Sequence, residues 1–258
     1  MLYSIRNFIE HKFLLRELVL KGIKLKYRRS YLGILWSLVE PILMTIVMTI
    51  IFGTLFGNPD PTYPLYILCG RLLFTYFSNA TNASLRAIRT NASMIKKVYV
   101  PKYLYVLSSV LSTYIIFLIS LLVLLGFSLI LKIYPTKYLL LIWFPLLLLF
   151  FMAFGTGMVL ATVGVFFRDM EYIWGIVMTI IMYASAIFYY PERLMNSAYY
   201  WILKYNPLFH IIAMFRNCIY GEAMDGFSIL YSALFSMWIV LLGCTVFLKK
   251  QDKFILHI

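Results

Sequence analysis

Long apolar stretches, broken by short charged segments, constrain this sequence more than any other feature. Hydrophobic residues make up 63% of the 258 residues, and charged residues only 13%. Soluble globular domains are closer to half apolar and a quarter charged, so a soluble chain of this size could not bury so much apolar surface. A run of about 18 or more apolar residues is long enough to cross a bilayer as a helix. We therefore predict an all-α integral membrane protein in which residues 1–258 form a single transmembrane domain.

Six such stretches follow one another along the chain, separated by turns that contain proline, glycine or charged residues. The predicted transmembrane helices cover residues 34–57, 65–88, 104–131, 138–166, 172–189 and 227–248. The second helix is unusually polar, since it contains Arg71, Ser78, Asn79, Thr81, Asn82 and Ser84.

Residues 1–30 precede the first span and alternate apolar with basic side chains. The first apolar residues recur at helical spacing, which favours an amphipathic helix in the plane of the lipid headgroups, with its apolar side towards the membrane. A solvated basic tail is the alternative. In the first interpretation, residues 1–30 form a cytoplasmic interface helix and residues 31–258 form a six-span bundle.

The distribution of basic residues predicts the orientation in the membrane. If the N-terminus is inside, the cytoplasmic segments hold 17 of the 23 Lys and Arg residues and the external segments hold five. These segments are 1–30, 86–102, 167–171 and 249–258 on the inside, and 58–64, 132–137 and 190–226 on the outside. Because basic residues are enriched in cytoplasmic loops, both termini are predicted to be cytoplasmic. The same distribution accounts for the net charge of +13 without a nucleic-acid partner.

The motifs of several enzyme classes are missing from the sequence. No GxxxxGK[ST] loop is present, so the chain itself is not predicted to hold a nucleotide phosphate in that way. No HExxH or GxSxG motif, paired-carboxylate site or metal-ligand cluster is visible either. We therefore expect no metal and no cofactor on this chain, and a transport function rather than catalysis. Active transport would draw its energy from a partner or from an ion gradient.

The segment leading into the first span is the first candidate functional site. Arg28 and Arg29 precede the span, and Trp36 fits an interfacial anchor. Glu40 and Pro41 lie just inside, where a carboxylate is costly and typical of a functional or paired group. Proline at this position bends the helix. An ordinary helix start with a snorkelling glutamate is the alternative.

Two cytoplasmic loops are candidate contacts with a partner protein. The loop at 91–101 is short, basic and amphipathic, and such a segment can dock into a groove of another protein. The second loop places Arg168 beside Asp169. The alternatives are a solvated loop that only sets topology and, for Arg168 and Asp169, a local helix cap or ion pair. The candidate contact residues of the first loop are Met94, Ile95, Lys96, Lys97, Val98 and Tyr99.

The external connector 190–226 is the fourth candidate. Pro191 and Glu192 begin it, and two short amphipathic segments flank Asn206 and Pro207. These segments are too short to span a membrane but apolar enough to enter one. Non-helical backbone at that depth must be surrounded by protein or water. We predict a re-entrant helical hairpin that closes a cavity, with a plain surface loop as the alternative.

Taken together and in this order, these stretches resemble the permease subunits of type-2 ABC exporters. The resemblance is strongest to the branch that exports lipid-linked polysaccharides such as O-antigen and teichoic acid. It runs nearly end to end, and the sequence departs from the family at Glu40, where glutamine is expected before the proline. The matching stretches are YRRSYLGILWSLVEP, NASMIKKVYVPK, FFRDM and NPLFHIIAMFRN.

The resemblance implies a homodimer in a bacterial cytoplasmic (inner) membrane, bound to two copies of a separate ATPase that carries the ATP and Mg²⁺. It makes residues 1–30 the interface helix and assigns the entrance and lateral gate to the first candidate site. It makes Met94 to Tyr99 the main coupling helix and Arg168 with Asp169 the second contact. The hairpin at 190–224 becomes the outer gate, with Pro191, Glu192, Asn206, Pro207 and Arg216.

The aromatic content suits a glycan substrate. The chain has 21 Tyr, 21 Phe and 5 Trp residues, and aromatic faces stack on the apolar faces of sugar rings. Tyr183 and Tyr190 are seven residues apart, which predicts one shared helical face. The predicted conduit residues are Phe74, Asn79, Asn82, Tyr183, Tyr189 and Tyr190. The alternatives are a type-2 ABC permease for a drug or small hydrophobic molecule, and a membrane enzyme acting on polyprenyl-linked sugars.

Overall fold

The structure is a computed structural model that describes residues 11–28, 30–57, 60–98, 100–134, 136–195 and 197–256. These residues form α-helices and short 3₁₀ turns, with no β-strand among them. The 3₁₀ turns are Gly33–Leu35, Lys137–Leu141 and Gln251–Leu256. The α-helices are α1 (Lys12–Tyr27), α2 (Trp36–Phe56), α3 (Tyr63–Thr90), α4 (Ala92–Ile95), α5 (Tyr103–Ile130), α6 (Trp143–Phe166), α7 (Met170–Tyr183), α8 (Glu192–Met195), α9 (Tyr200–Lys204), α10 (Pro207–Tyr220) and α11 (Gly226–Lys250).

Four helical stretches are long and apolar enough to cross a membrane. They match the predicted first, third, fourth and sixth spans. The other two predicted spans correspond to α3, which has 28 residues but is polar, and to α7, which is apolar but has only 14 residues. The all-helical class and these four apolar helices are thus confirmed. The four stretches are Gly33–Phe56, Tyr103–Ile130, Lys137–Phe166 and Gly226–Leu256.

The polar helix α3 lies at the centre of the fold. It packs against α2, α5, α6, α7 and α10, and most of its residues are buried. Its polar side chains find partners inside the protein: the Trp174 indole N–H donates to the Thr81 hydroxyl at 3.0 Å, and the Ser84 hydroxyl donates to the Ala80 carbonyl. Protein contacts therefore replace lipid around the helix that is least suited to lipid.

Small residues allow the other long helices to approach closely, as is usual in membrane proteins. A Cβ atom added to Gly155 of α6 would lie 2.6 Å from the Ile239 backbone of α11. A Cβ atom on Gly243 of α11 would lie 2.4 Å from the Gly155 carbonyl. Only glycine at both positions permits this contact between α6 and α11.

Helix α1 packs on the bundle where α3 ends and α5 begins. Its residues Leu15, Leu18 and Val19 belong to the same buried cluster as Ile88 and Leu104, and α1 contacts α5. The buried face of α1 therefore meets protein, whereas Phe13, on the predicted membrane-facing side, is exposed. Residues 1–10 of the predicted interface helix lie outside the described residues.

The fifth predicted span ends earlier than the sequence pattern indicated. Helix α7 stops at Tyr183, and the chain continues to Tyr190 without regular helix, with Ala186 at a positive φ of 48°. The prediction that Tyr183 and Tyr190 share one helical face is therefore wrong. The connector that follows contains the short helices α8 and α9 and then the longer α10.

Candidate functional site

The first predicted cytoplasmic loop has one buried side and one exposed side. Ile95, at the end of α4, is only 7% exposed and belongs to the buried cluster that contains Ile88 and Leu104. Met94 is half-buried. Lys96, Lys97 and Val98 are exposed. The predicted docking surface thus contains one residue, Ile95, that instead anchors the loop to the bundle. Tyr99 lies outside the described residues.

The second predicted cytoplasmic loop is held by a residue that the sequence analysis did not select. Glu171, in the first turn of α7, forms ion pairs with Arg86, with Nε and Oε2 2.8 Å apart, and with Arg89. Among the described residues these are the ion pairs present, so the alternative of a local pair between Arg168 and Asp169 is wrong. Asp169 precedes α7 without a side-chain cap bond. The i,i+3 spacing of the two arginines on α3 was the available sequence signal.

A polar cavity lies where α1, α2, α3 and α5 meet. Glu40 and Pro41, from the predicted entrance, line it together with Lys26 and Arg71, which the sequence analysis left out of this site. Burial lowers the pKa of Lys26 from its ordinary value, and the nearby Glu40 carboxylate opposes that shift.

The rest of the predicted entrance is more open. Trp36 and Arg28 are exposed, and Arg29 lies outside the described residues. Of the five predicted entrance residues, therefore, Glu40 and Pro41 are the two that line the polar cavity.

The predicted conduit residues do not come together in one place. Phe74 is in the main hydrophobic core, 8% exposed. Asn79 is exposed and lines the polar cavity, whereas Asn82 donates to the Ser78 carbonyl of its own helix at 2.9 Å. Tyr183, Tyr189 and Tyr190 lie at the end of α7 and beyond. No single surface collects all six residues within this one chain.

The irregular segment after α7 is organised by Arg216 of α10. This guanidinium is 5% exposed and donates to the carbonyls of Tyr66 at 3.0 Å, Ala186 at 3.1 Å and Ile187 at 3.3 Å. It also stacks on the Tyr66 ring, with the guanidinium carbon 3.4 Å from the ring centroid. Because irregular backbone needs such partners when water is absent, Arg216 is a structural support of the outer connector.

Tyrosine and asparagine side chains complete this support. The Tyr63 hydroxyl donates to the Phe188 carbonyl at 2.5 Å, and the Tyr189 hydroxyl donates to the Tyr183 carbonyl at 2.8 Å. Asn206 donates to the Ala184 carbonyl at 2.9 Å and caps α10 by accepting the Leu208 N–H. Pro207 follows as the first residue of α10, a position where its missing N–H costs nothing.

A second cavity, of about 330 Å³, opens beside the same connector. Tyr66 and Tyr190 line it, with their ring centroids 4.5 Å apart. Pro191 and the exposed Glu192 form part of its rim, and the Tyr190 hydroxyl donates to Asp60 at 3.1 Å. The N–H of Thr62 lowers the pKa of Asp60 below its usual value.

Comparison with known proteins gives a consistent result. The family described as ABC-2 type transporter matches residues 14–220 of this chain. The chain is 28% identical to the O-antigen export system permease protein RfbA of Klebsiella pneumoniae, over 91% of this chain and 90% of that protein. It is 24% identical to the polysialic acid transport protein KpsM of Escherichia coli, over 95% and 96%. It is 23% identical to the capsule polysaccharide export inner-membrane protein CtrC of Neisseria meningitidis, over 94% and 92%.

Proposed function

The chain belongs to the ABC-2 type transporter family, and we propose that it is the membrane subunit of an ATP-driven exporter that moves a lipid-linked polysaccharide across the bacterial cytoplasmic membrane. The observation that carries the proposal is the nearly full-length similarity to permeases named for O-antigen, polysialic acid and capsule export. The absence of a phosphate-binding loop in the sequence agrees with a subunit that does not hydrolyse ATP itself.

The membrane topology is the second part of the proposal. Helices α3 and α7 join the four apolar helices to make six spans, with both termini in the cytoplasm. The enclosed position of α3 supports its inclusion, because neighbouring helices shield its polar residues from lipid. The apolar composition of α7 and the hydrogen-bonded segment 184–190 after it support a fifth span that is completed by irregular backbone. The connector with α8, α9 and α10 then forms the re-entrant hairpin.

The partners follow from the same family. We infer a homodimer of this chain with two copies of a cytoplasmic ATPase, which carries the ATP and Mg²⁺. The exposed Lys96, Lys97 and Val98 would contact the ATPase, supported by their surface position, and Arg168 with Asp169 would form the second contact. Exposed apolar residues of α7, including Ile173, Ile176 and Ile180, offer a face for the second copy or for lipid.

The route of the polysaccharide is the last part. It enters beside Glu40 and Pro41 at the inner end of α2, and it leaves past the connector that carries Pro191, Asn206 and Arg216. Asn79 and Tyr183 are accessible in the single chain and are the predicted conduit residues best placed to contact a passing glycan. A path between two copies would require both chains to line it.

Deletion of the gene in its host tests the function directly. Surface polysaccharide should disappear, and its lipid-linked precursor should accumulate inside the cell, while the wild-type gene supplied in trans should restore both. Parental levels of surface polysaccharide in the deletion strain would contradict the proposal. If the strain instead became sensitive to small hydrophobic compounds with its glycan unchanged, the chain would be a small-molecule permease.

A further inference from the structure

The polar cavity at the N-terminal end of α2 holds charged side chains whose arrangement is not needed for folding. Its position is unusual, because four helices meet there and two of them, α2 and α5, are membrane-spanning by length and composition. The volume is about 50 Å³, far below the roughly 300 Å³ of an ordinary small-molecule pocket. A site of this size suits a small ionic group rather than a sugar ring. The side chains that give it polarity are Lys26, Tyr27, Ser37, Glu40, Arg71 and Asn79.

The two cations and the one carboxylate that line this cavity do not neutralise each other. Lys26 and Arg71 face one carboxylate, Glu40, which leaves one unit of positive charge. Glu40 is close enough to act electrostatically on both cations, but none of the three takes part in an ion pair within 4.0 Å among the described residues. The Arg71 side chain, half-buried part-way along a central helix, also has no hydrogen-bond partner among those residues.

An unpaired guanidinium at this location is costly. Charged residues within membrane helices are usually paired with one another or with backbone carbonyls, or they lie on a substrate path. Arg216 in the same chain illustrates the first case, because three backbone carbonyls hold it. Arg71 lacks such partners, so the cavity has the unused donors that an anion would need.

The cavity is also open to its surroundings. Lys26, Glu40 and Asn79 are exposed in the single chain, and α2 presents an apolar, accessible surface beside them that includes Leu43 and Val47. A lipid could thus lay its tail along α2 with its headgroup against the charged residues. Guanidinium and phosphate groups match in geometry, since two N–H groups can meet two phosphate oxygens.

We propose that this cavity binds the phosphate group of a lipid, with Arg71 and Lys26 as its ligands, and that the lipid is the phosphate-linked carrier of the exported glycan. This inference rests on the proposed function for the identity of the lipid, although the phosphate site itself does not. Glu40 opposes the bound anion and limits its affinity, which lets the carrier leave the site during transport.

The opposite signs of these residues give a test. The full-length protein is purified into nanodiscs of phosphatidylcholine that contain equal small amounts of phosphatidylglycerol and undecaprenyl phosphate, and bound lipids are counted by native mass spectrometry. Arg71→Gln should lower retention of undecaprenyl phosphate about tenfold, since it removes a charge-assisted bond. Glu40→Gln should raise retention, because it removes the repulsion. Lys204→Gln, an exposed residue away from the cavity, makes the same charge change as Arg71→Gln and should have no effect.

Several outcomes would overturn the proposal. Equal shifts of Arg71→Gln and Glu40→Gln in the same direction would show a structural charge cluster. Loss of the dimer in Arg71→Gln with unchanged lipid retention would show an interface between copies. Equal retention of the two anionic lipids would assign the site to membrane phospholipid and contradict the carrier. Thermal unfolding of each variant, together with Arg71→Lys, which should keep part of the binding, separates lost binding from lost folding.

The host assay distinguishes this inference from the proposed function. If the deletion strain loses surface polysaccharide but Arg71→Gln restores it fully, the chain is an exporter and the cavity is not on its substrate path. If the deletion itself leaves the polysaccharide unchanged, the proposed function fails, whatever the lipid binding shows.

Discussion

At the scale of single residues, Ile95 and Val98 lie three positions apart in the first predicted cytoplasmic loop but face different surroundings. Ile95 belongs to the same buried cluster as Leu104, whereas Val98 is 53% exposed. An exposed apolar residue directly after two lysines, such as Val98, is available for contact with another protein, while a buried one such as Ile95 holds the loop in place. The two residues should therefore fail in different ways when they are replaced by aspartate.

We predict that Val98→Asp abolishes co-purification of the ATPase while the permease stays folded. Ile95→Asp should instead lower the yield and stability of the permease, by about 3 kcal/mol or more, because an unpaired charge would enter the core. Affinity capture of the ATPase, with size-exclusion profiles of the permease alone, distinguishes the two. Val98→Thr, which keeps the shape without a charge, is the control. Normal ATPase binding by Val98→Asp would remove this residue from the contact.

The second prediction at the scale of residues is that Arg216 stabilises the fold. Its substitution by glutamine leaves the carbonyls of Tyr66, Ala186 and Ile187 short of donors, at about 1–3 kcal/mol for each buried carbonyl that stays unpaired. We expect a clearly lower unfolding temperature in detergent. Arg193→Gln is the matched control, because this exposed arginine of the connector donates to a single backbone carbonyl, that of Phe56 at the end of α2. Equal unfolding temperatures for both variants would show that Arg216 is dispensable for the connector.

At the scale of helices, Glu171 links the two predicted cytoplasmic loops. It joins the first turn of α7, which follows the Arg168-Asp169 loop, to Arg86 and Arg89 at the end of α3, which leads into α4. An ion pair across two helix ends makes both loops move together when either is pushed. The two proposed ATPase contacts are thus connected by side chains as well as by the bundle.

We predict that Glu171→Gln reduces export per ATP hydrolysed, while ATPase binding and folding persist. The physical reason is that the two loops lose their charged link, although each keeps its own surface. The measurement is polysaccharide export and ATP hydrolysis in the same proteoliposomes. Glu17→Gln, which removes an exposed carboxylate that forms no ion pair among the described residues, is the control. Glu171→Arg combined with Arg89→Glu should recover part of the export. Unchanged coupling in Glu171→Gln would contradict the link.

At the scale of the whole molecule, the proposed six-span topology predicts which positions face each side of the membrane. In a cysteine-free variant, Ser197→Cys and Lys132→Cys should react with a membrane-impermeant thiol reagent added to intact cells. Ser93→Cys and Gln251→Cys should react only after the cells are opened, because positive cytoplasmic loops stay inside. Labelling of Ser93→Cys from outside would overturn the six-span arrangement and, with it, the position of the proposed ATPase contact.

The class of the molecule, an all-helical membrane protein, could be predicted from the sequence because it depends on hydropathy and charge added up over many residues. The four long apolar helices follow from hydropathy and length, and the ABC-2 membership rests on motifs spread along the chain. Polar residues within the second span also marked α3 as unsuited to lipid, which its enclosed position confirms. These features need no knowledge of which helices touch.

The details of the sites depended on contacts between residues far apart in the chain. Periodicity extended the fifth span to residue 189, but Arg216 and Tyr63 supply hydrogen bonds that let the helix stop at Tyr183. Adjacency suggested an Arg168-Asp169 pair, but the folded chain brings Arg86 to Glu171. A local pattern cannot report partners that arrive from another helix.

What the sequence determined by itself was an all-helical membrane chain with basic loops, since apolar length and charge are properties of each segment alone. What only the tertiary structure decided was which polar groups are satisfied and which are not. In the sequence, Arg216 and Arg71 are both arginines among apolar residues. In the structure, Arg216 donates to backbone carbonyls, whereas Arg71 lines a cavity beside Glu40. The difference arises from packing, because a hydrogen bond requires its acceptor within about 3 Å, and only the fold brings distant segments that close.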